Sequence, residues 1–496
     1  MKKIFIIVFL ILSTAGISFA SFPNDPQAVF AAGPREFFGQ SFMFTHPIFM
    51  RSSTQQAVWH NQIYEKKGTQ KASFQVTGAY QHSRRDCAVD RYFLLPCKNI
   101  LTVAGDDTSD RDCRDIRAEW INLPSNFRGE FSLSPEQSQW GVTLEYNQDI
   151  CALCDWSLFD NYWFSIELPI VGATNNPNLF QRVIDPGTPA AGQPADIIQA
   201  FNQQSWKFGK INGQRTKVEL AALRLRMGKA WLSRNNDQIA YYTGILFPTS
   251  SKQNPEFLFD PVTGLNGSVG LNAGVNFNVV LNRCAERYVF SLFVNLDDTF
   301  LIRNDQCRTF GLLDFPTGCP KYLTRFIGLN RPNCPTEFNI PGVNVLTQLV
   351  RVKAFNIVDF SAGFRILIED MIEAEFGFNI WGHGHEQLVI KFPYFTELEL
   401  EKYGIAGTTA ANSASLSTIA QQAPNDPEFV HLHISDLDYR SAASESVLNY
   451  IASGSVCAQF PGKISKFFGA GFFIEFPQKN AALAELGFWF KGGASF

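Results

Sequence analysis

Long runs of strict alternation between apolar and polar residues set the tightest limit on what this chain can become. Leu271, Ala273, Val275, Phe277, Val279 and Leu281 share one phase, opposite Asn272, Gly274, Asn276 and Asn278. Ile372, Ala374, Phe376, Phe378 and Ile380 oppose Glu373, Glu375 and Asn379 in the same way. Phe74 to Tyr80, Trp140 to Tyr146, Tyr162 to Leu168, Ile239 to Phe247, Tyr288 to Leu296, Val358 to Ile368, Phe468 to Phe476 and Leu486 to Phe490 repeat the pattern. A period of two places successive side chains on opposite faces of a β-strand. Several runs extend over about 9–12 residues, longer than the ~5–6 usual in soluble sheets and matched to the ~9–11 a tilted strand needs to cross a bilayer.

The same alternation resolves an oddity of composition. The chain has 496 residues, of which 47 are Phe, yet mean hydropathy is only -0.07. Each strand spends its Phe and Leu on one face and its Asn, Gly, Ser and Glu on the other, so the average cancels. Aromatics at 14% and a net charge of -4 exclude a disordered chain. Apart from a short run at the N-terminus, the long apolar stretches that a bundle of membrane helices requires are missing. The small negative charge and a pI near 6.0 argue against a nucleic-acid partner.

Residues 1–20 read as a signal peptide: Met1-Lys2-Lys3 is positive, Ile4 to Leu12 is apolar, and Ser18-Phe19-Ala20 is a small-x-small cleavage site. Residues 21–70 carry aromatics without a clean period, as in Phe42-Met43-Phe44, and read as an N-terminal extension or an irregular first strand. Residues 71–496 hold the periodic strands. The ten cysteines of an exported chain are expected to form structural disulfides. Cys151-Ala152-Leu153-Cys154 lacks the context of a redox or zinc motif.

The fold expected is all-β: a transmembrane antiparallel β-barrel of about 12–14 strands with long loops. The count includes weaker segments at 115–122, 127–133, 346–355 and 448–457. Segment 215–232, with Lys217, Arg224, Arg226 and Lys229, is read as a bulged strand, and 197–206 as a short helix. Loops are placed at about 83–114, 148–158, 171–210, 298–344, 382–396 and 400–444. Tyr162-Trp163, Trp381 and Trp489 are placed in the interfacial aromatic girdles. The competing architecture is a large secreted β-sandwich or propeller; no blade-length repeat supports the propeller.

In its export signal, its long alternating strands and its last residue, Phe496, the chain resembles the bacterial outer-membrane β-barrels. Members of that class end in an aromatic residue that the barrel assembly machinery recognises. Phe488 and Phe490 keep the phase of Phe496, while Gly492 and Ala494 are weaker than usual there. The resemblance implies residence in the bacterial outer membrane, with its lipid and the assembly machinery as partners.

Catalytic chemistry finds little support. No GxSxG nucleophile elbow or HEXXH metal motif occurs. His383-Gly384-His385-Glu386 and His431-Leu432-His433 would each put two imidazoles on one strand face, but a metal site needs the pairs to meet. The acidic run from Asp106 to Asp115 lacks EF-hand spacing and reads as a self-neutralised loop. No cofactor, metal or catalytic residue is assigned. By phase, Arg287, Glu373, Glu375, Glu475, Glu485 and Lys491 line the lumen, where their fields would set ion preference. The function expected is a porin-like channel for passive diffusion of small polar solutes. The alternatives are a structural, adhesin or receptor barrel without an open pore, and a barrel for hydrophobic substrates. A homo-oligomer is left open.

Overall fold

A computed structural model gives the fold. It describes residues 39–51, 71–405 and 430–496, apart from positions 86–88, 95–98, 112, 155–158, 233–236, 285–286, 314–319, 323–325, 330, 332–339, 370, 392–395 and 479–480. The expected signal peptide lies outside these residues.

Twelve antiparallel strands close into a barrel. They are β1 (Ala72–Arg84), β2 (Glu136–Asp149), β3 (Tyr162–Asn176), β4 (Ala222–Leu232), β5 (Gln238–Pro248), β6 (Gly270–Cys284), β7 (Tyr288–Leu301), β8 (Phe355–Ile368), β9 (Ile372–His383), β10 (Val447–Phe460), β11 (Ser465–Pro477) and β12 (Ala484–Ser495). Each pairs with its sequence neighbour, and β1 pairs with β12 from Ser73↔Ser495 to Arg84↔Ala484, which closes the ring. Closure gives each of the twelve wall strands a partner on both sides, the condition for a sheet in hydrocarbon. At the seam, Phe496 N donates to Ala72 O at 2.9 Å, and Phe496 O accepts from Lys71 N and Ala72 N at 2.8 and 2.9 Å.

Segment 215–232 is a strand, in two pieces. Arg215–Leu220 pairs with the upper part of β3, and β4 pairs with its lower part. The break falls at Ala221, whose N–H bonds Pro169 O at 2.8 Å. Segment 448–457 belongs to β10. The other weak segments are not wall strands. Arg128–Ser132 and Ile116–Arg117 join Ile100–Ala104 and Phe180–Asp185 in a four-stranded sheet of the loops, and Thr347–Val352 joins Asn304–Thr309 and Leu388–Ile390 in a three-stranded one. These pieces have only two to six residues, too short to span a bilayer. The helix expected within 197–206 spans Ile197–Phe201.

Both chain ends of the wall and the short connections β2–β3, β4–β5, β6–β7, β8–β9 and β10–β11 lie at one rim, here the turn end. The long connections lie at the other, the loop end, and their described residues pack into small sheets and apolar clusters. Phe131 packs against Phe201 and Phe326 with ring centroids 5.0 and 5.4 Å apart. Trp120, Phe310, Leu312, Leu346, Leu400 and Leu437 bury one another in a second cluster.

This apolar packing orders the loops where disulfides were expected. Among the described residues, Cys113, Cys284, Cys307 and Cys457 are free thiols. Their positions explain it: Cys457 is buried on the inward face of β10, Cys284 ends β6, and Cys307 opposes Leu349 in the loop sheet. Cys87, Cys97, Cys319 and Cys334 lie outside the described residues.

Loop docking also has an ionic tie. Asp305 accepts from Arg351 Nε at 3.0 Å and from Lys391 Nζ at 2.5 Å. The Arg351 hydrogen bond, then that of Lys391, holds its carboxyl down at about 2. A carboxyl depressed in the folded state contributes stability above its unfolded pKa and loses it as pH falls through the folded value. Hydrogen exchange at 304–309 and 347–352, corrected for intrinsic rate, is therefore expected to speed up between about pH 4 and pH 2. Asp305→Asn should speed it at neutral pH and flatten that dependence; an unchanged profile would remove the tie from the account.

The outward face carries the Phe excess. Phe74, Phe290, Phe364, Phe376, Phe468, Phe472, Phe488 and Phe490 are all exposed. Trp163, Trp381 and Trp489 do not join them in a girdle. All three are buried inside the barrel, because they share the phase of the polar residues. Two of them cover glycines of the next strand. A Cβ on Gly228 would meet the Trp163 ring at 2.5 Å, and one on Gly471 would meet Trp489 at 2.6 Å. Large rings thus lie flat on the inner wall where no side chain competes.

Candidate functional site: the lumen and its N-terminal segment

The inward phase of the wall is polar and charged. Between its ends it carries eight carboxylates (Glu145, Glu167, Asp297, Asp359, Glu373, Glu375, Glu475 and Glu485) and four bases (Arg224, Arg226, Arg365 and Lys491), with Asp149 and Arg283 at the turn-end rim. Of the residues assigned to the lumen from sequence, Glu373, Glu375, Glu475, Glu485 and Lys491 stand on this inward phase and are buried. Arg287 does not. It sits in the β6–β7 turn, exposed, 3.5 Å from Glu369. Its expected inward phase follows from extending backward the alternation of the strand that begins at Tyr288, which does not reach it.

The inner charges are paired in two layers. Nearer the turn end, Arg226 Nη2 lies 3.2 Å from Glu145 and 3.1 Å from Glu167, and Arg224 Nη1 lies 3.2 Å from Glu167. Arg365 Nε lies 3.2 Å from Glu373, and its guanidinium also bonds Glu375. Each group of pairs ties neighbouring strands together across the interior.

The loop-end layer involves a segment that strand periodicity could not locate. Residues 39–51 enter the barrel, and Phe42, Phe44, His46, Ile48, Phe49 and Arg51 are all buried. Loops hold the segment's outer part: Gln40 N bonds Tyr92 O at 2.8 Å, Ser41 Oγ donates to Thr309 O at 2.7 Å, and Arg308 stacks 3.3 Å from the Phe42 ring centroid. The wall holds its inner part. Ile48 N donates to Gln139 Oε1 at 3.1 Å, and His46 stacks on Trp381 at 4.2 Å. His46 Nδ1 is 3.2 Å from Glu475. Arg51 bonds Gln81, Glu475 and Glu485 at once, with its Cζ 4.3 Å from the Phe473 centroid. A polar His and Arg flanking an aromatic cluster was the available signal in the sequence. Partners more than 400 residues away made it unreadable there.

The other constellations resolve into structure. His383 packs edge-on to Phe44 at 5.3 Å, while His385 is 3.9 Å from Glu445. His433 is 3.5 Å from Glu401. Among the described residues no group of three or more metal-capable side chains forms. In the acidic loop, Asp106 pairs with Arg114 and Arg117, and Asp110 with Arg128.

No family model matches the sequence, and no curated protein matches it. Solved structures do resemble its fold. An outer membrane channel from Pseudomonas putida F1 aligns at 8% identity and a TM-score of 0.36, covering 86% of this chain and 97% of that one. The translocator domain of the autotransporter NalP from Neisseria meningitidis aligns at 5% identity and 0.30, covering 87% and 90%. A Pseudomonas aeruginosa FadL homologue aligns at 9% identity and 0.27, covering 86% and 90%. The class rests on the chain itself. Closure of twelve strands, an apolar outer band and a charged interior meet the demands of lipid outside and polar groups inside. The chain folds as a closed twelve-stranded antiparallel β-barrel with the two faces of a membrane-spanning wall.

Proposed function

We propose that the barrel is an outer-membrane channel for passive diffusion of small polar solutes, and that passage requires residues 39–51 to leave the loop-end lumen. The observation that carries this reading is the inner wall: between its ends, eight carboxylates and four bases line a barrel whose outer face is apolar. An interior meant only to be filled would be cheaper to build from hydrocarbon, since buried ion pairs seldom add net stability. Phe496, hydrogen-bonded into the seam, is proposed as the signal read by the assembly machinery. One feature favours a second reading, a channel for hydrophobic substrates: Trp381 and Phe473 belong to the same buried apolar cluster as Phe44 and Phe49.

The test is conductance and liposome swelling. The intact protein should conduct poorly, and deletion of residues 39–51 should raise the current and admit small sugars. A deletion variant that folds, shown by heat-modifiable migration, yet passes neither ions nor sugars would defeat the channel reading. Uptake of small aromatics without sugars would favour the second one.

A further inference from the structure

We propose that Glu475 and Glu485, with Gln81, Asn449 and the ring of Phe473, form a lumenal binding site for guanidinium-type organic cations, which Arg51 occupies as the chain's own ligand. The site deepens the channel reading and rests on it for its role in transport, though not for binding.

The two carboxylates are direct cross-strand partners on β11 and β12. Like charges placed opposite one another in a ladder repel, and both side chains are almost completely buried. The pair therefore requires a cation between its members. What fills the position is a planar fork: Arg51 Nε donates to Gln81, Nη1 to Glu475 and Nη2 to Glu485. Each of its three nitrogens meets a separate oxygen, the bidentate-type geometry that favours guanidinium over a point-charge ammonium. The Phe473 ring lies beneath the fork at 4.3 Å, adding a cation–π contact in a desolvated site.

Every one of these acceptors belongs to the wall, while the guanidinium belongs to the inserted segment. The site is thus complete without residues 39–51. A second observation points to a ligand richer in donors than Arg51. Asn449 donates to Glu475, yet its Oδ1 is buried with no hydrogen-bond partner. Withdrawal of His46 would also bare the face of Trp381 on which it stacks. Two carboxylates, two amide oxygens and two aromatic faces describe a pocket for a flat organic cation. The excess of carboxylates over bases along the wall supplies the field that draws cations towards it.

The probe is guanidinium at about 1–20 mM, far below denaturing levels, with sodium and tetramethylammonium at matched ionic strength as controls. Isothermal calorimetry on full-length, detergent-folded Arg51→Ala should give saturable guanidinium binding, at least about tenfold tighter than either control cation. Arg51→Ala combined with Glu475→Gln and Glu485→Gln should lose it, and the wild type should bind more weakly than Arg51→Ala. Should Arg51→Ala not fold, guanidinium added to the wild type should still compete, raising hydrogen exchange at 39–51 above the sodium control. No saturable binding to folded Arg51→Ala, no competition in the wild type, or binding that survives loss of both carboxylates would each overturn the proposal. Planar-bilayer recording separates the two ideas: binding without current leaves the site and removes the channel, and current without binding does the reverse.

Discussion

Arg226→Met is expected to lower the stability of the folded barrel by about 3–5 kcal/mol, the range seen when one partner of a buried ion pair is removed. Arg226 bridges two strands other than its own, with Glu145 of β2 at 3.2 Å and Glu167 of β3 at 3.1 Å. All three side chains are almost wholly buried, so none recovers hydration when the bridge is cut. Glu167 keeps Arg224 at 3.2 Å. Glu145 keeps the neutral Gln75 amide as a hydrogen-bond donor, so it carries most of the penalty. The double variant Arg226→Met/Glu145→Gln should therefore be more stable than Arg226→Met alone, because a neutral amide costs less to bury than an unpaired charge. Arg226→Lys should rescue little, since an ammonium lacks the fork that reaches two strands. Urea unfolding in lipid vesicles reads all three. A loss below about 1 kcal/mol, or a double variant worse than the single, would show that the lumen is hydrated and that these charges are screened.

This charge layer was legible in the chain, residue by residue, wherever a strand keeps strict phase. Glu373, Glu375, Glu475, Glu485 and Lys491 each alternate with residues that face lipid, and a period of two admits only one other side. The same rule placed Trp489 correctly and the girdle assignment ignored it: Trp489 shares the phase of Glu485 and Lys491, and it lies inside on Gly471. Failures came where phase carries no information. Arg287 falls beyond the end of its strand, in a turn. Arg128–Ser132 and Thr347–Val352 alternate, but local alternation cannot say whether a strand joins the wall or a loop sheet. Residues 39–51 have no period, since they follow the shape of the lumen rather than a pleat. Their position depends on Glu475 and Glu485, whose roles as wall residues appear only once the barrel has closed. Disulfides were inferred from the parity of the cysteines and the export signal. Among the described residues the loops hold together through aromatic packing such as Phe131 on Phe201, which parity cannot reveal.

Phe488→Arg is expected to destabilise the barrel in bilayers by about 2–4 kcal/mol, and Leu486→Arg by less, because the cost of a lipid-facing cation falls from the midplane towards the interfaces. Phe488 lies near the middle of β12, exposed, between Tyr80 of β1 and Phe472 of β11. Leu486 shares its outward phase two residues nearer the loop end. A side chain this far out has few protein contacts to lose, so packing alone predicts a small effect, within about 0.5 kcal/mol for an exposed surface position. The difference between the two expectations belongs to the surrounding lipid. Repeating the measurement in detergent micelles, which let water and headgroups approach the arginine, should shrink the penalty and erase the ordering of the two sites. The lumenal change Gly471→Arg would act differently. It drives a side chain into the Trp489 ring that covers that glycine, so its cost should be similar in bilayer and micelle. Equal effects for Phe488→Arg and Leu486→Arg in bilayers would mean that the Phe band does not mark the hydrocarbon core. The outward face would then need another apolar cover, because exposed Phe along the whole barrel is not sustained in water.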